Sequence, residues 1–293
     1  MDGILTFLGT GTSMGVPTLG CGCAVCTSAD PRDRRLRPSV LVRWTEPDEE
    51  IAGHPSFPQE APERMRHGAS VGTGPDGARE RVVVIDTGPD FREQALRSGL
   101  KRVDAVFYTH SHADHILGLD DLRPLSFAAS REGGPIPLYA TPETAAVLER
   151  VFEYTFSPLA TYPTRARVRL VALAERNPVH GVEFLRIPVV HGQMKIAGFR
   201  MGRVAYLTDV SAIPEESFAL LEGLDHVVLS ALRHQPHPSH ATVEQAVGWA
   251  RRIGAGQTWL THIAHELGHE ATNRALPAGI SLAYDGLSLA VSL

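Results

Sequence analysis

The chain has 293 residues, 43% hydrophobic and 21% charged, with 28 Lys plus Arg against 33 Asp plus Glu and a net charge of −5. That composition excludes a disordered or fibrous chain and leaves length for one large α/β domain. The mild acidity argues against broad electrostatic affinity for nucleic acid.

The opening stretch, "MDGILTFLGTG", has an acid at position 2, no basic region before its apolar run and a strand-like pattern. Neither a signal peptide nor a transmembrane span is expected, and a cytoplasmic location follows as the expectation. Next come Cys21, Cys23 and Cys26, the only cysteines in the chain. Three thiols within six residues form no disulfide framework and read as metal ligands. A closed structural zinc site needs a fourth donor, and His234, His237, His265 and His269 all qualify by type.

The strand "SVLVRW" follows, and then residues 45–80, of which ten are Pro or Gly and few are large and apolar. This segment reads as a flexible insertion within a single domain spanning 1–293, with His54 and His67 as bystanders. Beyond it lies "RVVVIDTG". The segment "DFREQALRSG" then sets Asp90 and Glu93 at capping-box spacing and stops at Gly99, which predicts a helix. Asp86, at the end of the preceding strand, is a candidate for orienting a ligand histidine.

The strand "AVFYTH" leads into "THSHADH", where His110, His112, Asp114 and His115 crowd into six positions. Residues two apart in extended chain point the same way, so His110 and His112 can address one metal while Asp114 and His115 face a second. Imidazole mixed with carboxylate suits zinc, iron or manganese better than calcium or magnesium.

Further strands are predicted at "IPLYAT", "RVRLVAL", "VEFLRIPVV", "RVAYLTD", "HVVLSAL" and "TWLTHI". Helices are predicted at "TPETAAVLERVF", with Thr141 as N-cap, and at "TVEQAVGWARRIG", where Thr242 and Gln245 match a capping box. Near-continuous apolar strands with helices between them predict layered sheets covered by helices. Three strand ends supply partners for the histidine array: His191 in "PVVHG", Asp209 in "YLTDV" and His262 in "LTHIAH". His240 in "PSHAT" sits before a helix N-terminus, a place for a general acid poised near neutral pH. Arg123 and Arg233 read as surface charges with a weaker claim on substrate phosphate, and His180 and His226 as structural. The glycine-rich "GTGTSMG" lacks the Lys-Ser/Thr of a P-loop and reads as a tight turn near the site.

The array His110-x-His112-x-Asp114-His115, followed by His191, Asp209 and His262, resembles the metallo-β-lactamase superfamily. That resemblance implies an αββα sandwich of two mixed sheets with a dinuclear site at the strand ends. It implies that His110, His112 and His191 hold one metal, that Asp114, His115 and His262 hold the other, and that Asp209 bridges them. "FLGTGTSMGVPTLGCGCAVC", "THSHADHILGLDDLRPL", "PHPSHAT", "LTHIAH" and "AYDGL" further resemble the phosphoribosyl 1,2-cyclic phosphate phosphodiesterase branch. This narrower resemblance implies hydrolysis of a small, even cyclic, phosphodiester by two divalent ions (zinc or manganese). His240, Asp114 and Asp209 are then catalytic, and His265 joins the three cysteines on a structural zinc.

Under that reading the partner is a small phosphodiester, with no membrane or nucleic acid, and a homodimer stays open. The rivals are a ribonuclease Z-like nuclease, a thioester or lactone hydrolase of the same superfamily, and a non-enzymatic metal carrier. Seventeen residues between His191 and Asp209 leave little room for a tRNA-gripping arm.

Overall fold

Alternation along the strands shows why they are apolar throughout. In "RVVVI" the side chains of Val83 and Ile85 join one core cluster while Val82 and Val84 join another. Successive strand residues face opposite sides, so a sheet covered on both faces needs apolar residues at every position. The computed structural model describes residues 1–46, 79–159 and 162–293. The expected insertion at about 45–80, with His54 and His67, lies almost wholly outside the described residues.

The first sheet contains β1 (Asp2–Gly9), β2 (Ser39–Glu46), β3 (Arg79–Ile85), β4 (Ala105–Phe107), β5 (Ile136–Ala140) and β6 (Val168–Ala172) in that order. The second contains β7 (Arg176–Val179), β8 (Val182–His191), β9 (Met194–Met201), β10 (Val204–Leu207), β11 (His226–Ser230), β12 (Gln257–Thr261) and β13 (Ile280–Leu282), again in order. The last strand, β14 (Ser288–Ser292), returns to the first sheet and pairs antiparallel with β1. In the first sheet β1 to β3 are antiparallel and β3 to β6 parallel. The second repeats this plan, antiparallel from β7 to β10 and parallel from β10 to β13.

Between the sheets lie Phe7, Val42, Ile85, Phe107, Phe184, Phe199 and Tyr206, all fully buried. Phe107 is central, with ring centroids 4.4 Å from Tyr139 and 4.5 Å from Phe184 in the facing sheet. Helices α1 (Phe91–Arg97), α2 (Ala113–Ile116), α3 (Arg123–Glu132), α4 (Pro142–Val151) and α5 (Glu153–Phe156) follow strands of the first sheet. Its outer face packs on Phe91, Leu122, Leu125 and Leu148. In the second half come α6 (Glu215–Phe218), α7 (Val243–Ile253) and α8 (His269–Ala275), with Val243, Ala246 and Ala250 of α7 on the sheet. The result is the expected αββα sandwich. Among the described residues no helix is long and apolar enough to cross a membrane.

Local signals fared unevenly. The Thr242–Gln245 capping box forms, Gly254 closes α7 at φ 67°, and Thr141 caps α4. Asp90 precedes α1 as expected but caps nothing with its side chain. Its carboxylate accepts instead from Arg37, at 2.8 Å from both the backbone N and Nη1. The two Arg37 donors, one of them charged, engage both carboxylate oxygens and draw the side chain away from the helix N-terminus.

Candidate metal centres

The parallel strands deliver their polar residues to one end of the sandwich, where the chain breaks from extended geometry at three places. Asp86 after β3, Asp209 after β10 and His262 after β12 adopt positive φ angles of 63°, 59° and 56°. Such backbone costs on the order of 1–3 kcal/mol at a non-glycine residue. All three side chains are buried, and all three belong to one polar cluster.

His110, His112 and His191 bring one ligand atom each to within 4.8 Å of the others, as do Asp114, His115, Asp209 and His262. In the first set His191 Nδ1 donates to the Ser239 carbonyl at 2.7 Å, which leaves Nε2 facing His112 Nδ1 at 3.3 Å. In the second, Asp209 Oδ1 lies 3.3 Å from His115 Nε2 and Oδ2 lies 3.2 Å from His262 Nε2. Asp209 Oδ2 also lies 4.0 Å from His110 Nε2, so this one carboxylate faces both sets. Asp114 Oδ2 approaches His115 Nε2 at 3.4 Å and His262 Nε2 at 3.9 Å.

Burial opposes ionisation of Asp114 and Asp209, yet the imidazoles beside them hold both carboxyls well below the usual range. Despite its own burial, His262 is pushed up to about 9 by Asp209 and Asp114. The Nε2 atoms of His110, His115 and His262 are buried without a hydrogen-bond partner among the described residues. Orphaned imidazole nitrogens aimed at one point beside two carboxylates are the donor set a pair of divalent cations satisfies. The residues fit the group.

Neighbouring side chains set the histidine tautomers. His115 Nδ1 meets Asp86 Oδ2 at 2.7 Å. Asp86 also accepts from Thr109 N and Oγ1, both at 2.8 Å, and Thr109 Oγ1 lies 3.0 Å from His110 Nδ1. One buried carboxylate therefore turns two imidazoles toward the centre. Thr87 N donates to the His115 carbonyl and Gly118 N to the Thr87 carbonyl, each at 2.8 Å. A Cβ on Gly88 would stand 2.0 Å from the Asp114 carbonyl oxygen, and one on Gly118 2.0 Å from that of Gly88. Sequence reasoning missed Thr109, Gly88 and Gly118; the glycine that follows Asp-Thr was the available signal.

His240 belongs to neither set but joins His191 and Asp209 within the same 4.8 Å limit. Its ring stacks on His262 at 4.6 Å and lies 4.7 Å from His191. The expected poise near neutral pH is not found. Burial first, then the neighbouring His262, lowers its value to about 3.

In the second candidate centre, His265 is the histidine that lies with the three cysteines. Cys21, Cys23 and Cys26 sulfurs lie 3.2, 3.4 and 3.6 Å from His265 Nδ1. His234 instead meets Glu244 at 2.6 Å, His269 packs on Tyr284, and His237 sits beside His240. Arg35, which the sequence reading overlooked, is fully buried and donates to the carbonyls of Ala264 at 3.1 Å and Leu267 at 2.7 Å. These carbonyls flank His265. Gly11 bridges to Ile263, placing the "GTGTSMG" turn beside the site as expected. Arg123 pairs with Asp120 at 3.4 Å and Arg233 with Glu266 at 3.2 Å. His180 occupies the β7–β8 turn, and His226 accepts from Trp259 at 3.5 Å.

Residues 81–263 match the family model for the Beta-lactamase superfamily domain. A crystal structure described as a new diphosphatase from the PhnP family is 48% identical, with a TM-score of 0.82 over 99% of this chain and 98% of that one. Zinc-bound PqqB from Methylobacterium extorquens is 21% identical, with a TM-score of 0.67 over 98% and 99% of the two chains, and shares the fold. An octanoyltransferase from Porphyromonas gingivalis is 32% identical over 284 residues, 96% of this chain and 50% of that protein. The chain spans about half or less of the length of the curated relatives it matches.

Proposed function

The chain belongs to the β-lactamase superfamily and, within it, to the PhnP family, and we propose that it is a metal-dependent phosphodiesterase acting on small phosphodiesters. The observation that carries this reading is the Asp209 carboxylate facing two ligand sets at once, with the His240 ring against one histidine from each. His110, His112 and His191 would hold one divalent ion and Asp114, His115 and His262 the other, zinc or manganese by donor type, with Asp209 shared. Such a pair of ions, when bound, activates water and neutralises charge building on phosphoryl oxygens. Cys21, Cys23, Cys26 and His265 would hold a structural zinc.

The chain's own residues do the rest. Asp86 and the Ser239 carbonyl keep the ligand rings in one tautomer, so the site does not reorganise during the reaction. His240 stands where a leaving oxygen departs from a phosphoryl group held at the centre. A neutral imidazole there takes up a proton as an anionic substrate docks beside it and delivers that proton to the leaving oxygen. Similarity to a diphosphatase brings diphosphate-linked substrates into the class alongside cyclic ribosyl phosphates.

Two features weigh against the rivals. The seventeen residues between His191 and Asp209 contain all of β9 and β10 with short turns, so that segment is spent in the sheet and not on an RNA-gripping arm. The donor set around Asp209 with His240 beside it exceeds what a carrier needs. A hydrolysis screen of the metal-loaded protein tests the reading, with a cyclic ribosyl phosphate, an aryl phosphodiester, an aryl phosphomonoester, a precursor tRNA and a thioester. Diester turnover abolished by a chelator, with the monoester barely touched, is the expected result. Equal turnover of monoester and diester, or thioester cleavage alone, would overturn it.

A further inference from the structure

Arg35 is a cation folded entirely away from solvent. Among the described residues its one ion pair is with Asp33, Nη2 to Oδ1 at 3.1 Å, and its Nε has no partner. A buried guanidinium with so little countercharge is costly unless its other donors are well used. They go to backbone. Nη1 donates to the Ala264 carbonyl at 3.1 Å and Nη2 to the Leu267 carbonyl at 2.7 Å. The fork thus closes on a turn, Ala264–Leu267, that carries His265 and begins two residues after His262.

Bonds in a closed ring tie that turn to both centres. Ile263, which follows the ligand His262, donates its N to the Thr10 carbonyl at 2.9 Å, and Ala264 N donates to the Leu232 carbonyl at 3.0 Å. Thr10 N and Oγ1 donate to Asp285 Oδ1 at 2.9 and 2.8 Å, and Leu36 N donates to Asp285 Oδ2 at 2.7 Å. Gly11 N donates to the Leu36 carbonyl at 2.8 Å. Leu36 is next in the chain to Arg35, whose backbone exchanges bonds of 2.7 and 2.9 Å with Val16 at the entry to the cysteine loop. From Arg35 the ring returns through Nη1 to Ala264. One side of it ends beside His262, the other beside His265 and the cysteines. His262 holds a φ of 56°, a backbone state that persists only where its surroundings impose it. A shift of either histidine's backbone therefore breaks bonds of the ring or moves the other histidine.

We propose that Arg35 is a positioning residue that couples the two metal centres. A divalent ion on Cys21, Cys23, Cys26 and His265 fixes the Ala264–Leu267 turn. Arg35 and the ring pass that constraint to His262, which raises the metal affinity of the histidine–carboxylate centre. Such a coupling is reciprocal, so filling either centre favours filling the other. The inference rests on the two metal assignments above and is independent of the substrate.

The test titrates the metal-stripped full chain with cobalt(II). Cobalt on thiolates absorbs strongly in the near ultraviolet by charge transfer, whereas cobalt on imidazole and carboxylate does not. That band reads the cysteine centre, and equilibrium dialysis counts the remaining ions. Cys23→Ala disables the cysteine centre. The free-cobalt midpoint of the histidine–carboxylate centre should then rise roughly 10-fold, a usual size for coupling between sites, while saturating cobalt still fills it. Arg35→Met should raise that midpoint as much, although the charge-transfer band shows its cysteine centre filled. The double variant should be no weaker than either single one, because both changes cut the same link. Arg35→Lys keeps the charge and loses the fork, so it should behave like Arg35→Met and replaces it in the cycle if that variant does not fold. Additive losses in the double variant, or an unmoved midpoint in Cys23→Ala, would overturn the coupling. A native protein without the charge-transfer band would overturn the cysteine assignment, and the coupling with it.

Discussion

His115 Nδ1 lies 2.7 Å from Asp86 Oδ2, and neither side chain reaches solvent. Asp86 follows β3 and His115 lies in α2, 29 positions apart. Removing the carboxylate would free His115 to rotate and, through Thr109, His110 as well. Asp86→Ala is expected to weaken metal binding at the histidine–carboxylate centre by roughly 10–100-fold, the usual effect of losing such a partner. Activity titrated against metal concentration should recover at high metal; an unshifted titration would show that Asp86 orients nothing.

His240→Ala should leave the metals bound and reduce diester turnover by roughly 10²–10⁴-fold, as expected for loss of a general acid. The deficit should shrink as the leaving group becomes more acidic. A series of aryl diesters of graded phenol pKa checks this, and a constant deficit across the series would remove His240 from that role.

His262 and His265 are three residues apart yet face different centres. His262→Ala should abolish turnover and keep one zinc on the cysteines. His265→Ala should loosen that zinc and lower the melting temperature, because a structural site contributes folding energy. Metal counting on both proteins distinguishes them. Loss of the histidine–carboxylate metals on removal of His265 alone would contradict the division.

Gly88 is required by close approach rather than by its backbone angles. A Cβ at that position would meet the Asp114 carbonyl oxygen at 2.0 Å, and this neighbour is backbone that cannot step aside without moving the ligand turn. Gly88→Ala should destabilise the protein by about 1–3 kcal/mol, the range for overpacking, and reduce metal affinity with it. Denaturant melts and metal titration measure the two effects; a fully stable variant with native affinity would show that the turn is looser than the contact implies.

Asp285 supplies a pH dependence away from the metal ligands. Burial pushes its carboxyl up to about 6, against hydrogen bonds from Leu36 and Thr10. A folded value above the unfolded one means that the folded protein retains a proton the unfolded chain releases between about pH 4 and 6. Stability from this group therefore falls as pH rises through that window. Relative to Asp285→Asn, which does not titrate, the native protein should lose on the order of 2–3 kcal/mol from pH 4 to pH 6.5. Parallel denaturant melts give the difference, and a flat difference would show the carboxyl ionised at its ordinary value.

Much of this protein was legible in one dimension because the deciding interactions are local or periodic. The apolar runs specified ten strands, since a two-faced sheet needs apolar residues at consecutive positions. Strands β7, β9, β13 and β14 escaped notice because exposed or mixed residues blur their pattern, and their pairing partners carry the assignment. The Thr242–Gln245 box formed because both partners lie within one turn, whereas Asp90 lost its cap to Arg37, 53 residues away. Short spacing likewise marked His110, His112, Asp114 and His115 as one array, and the cysteines as another. Only the tertiary structure could decide that Asp209 faces both ligand sets, that His265 and not His234, His237 or His269 lies with the three cysteines, and that the His240 ring is set against His191 and His262. Each of those depends on distances between strand ends and on burial, which separate segments create only once the two sheets have packed.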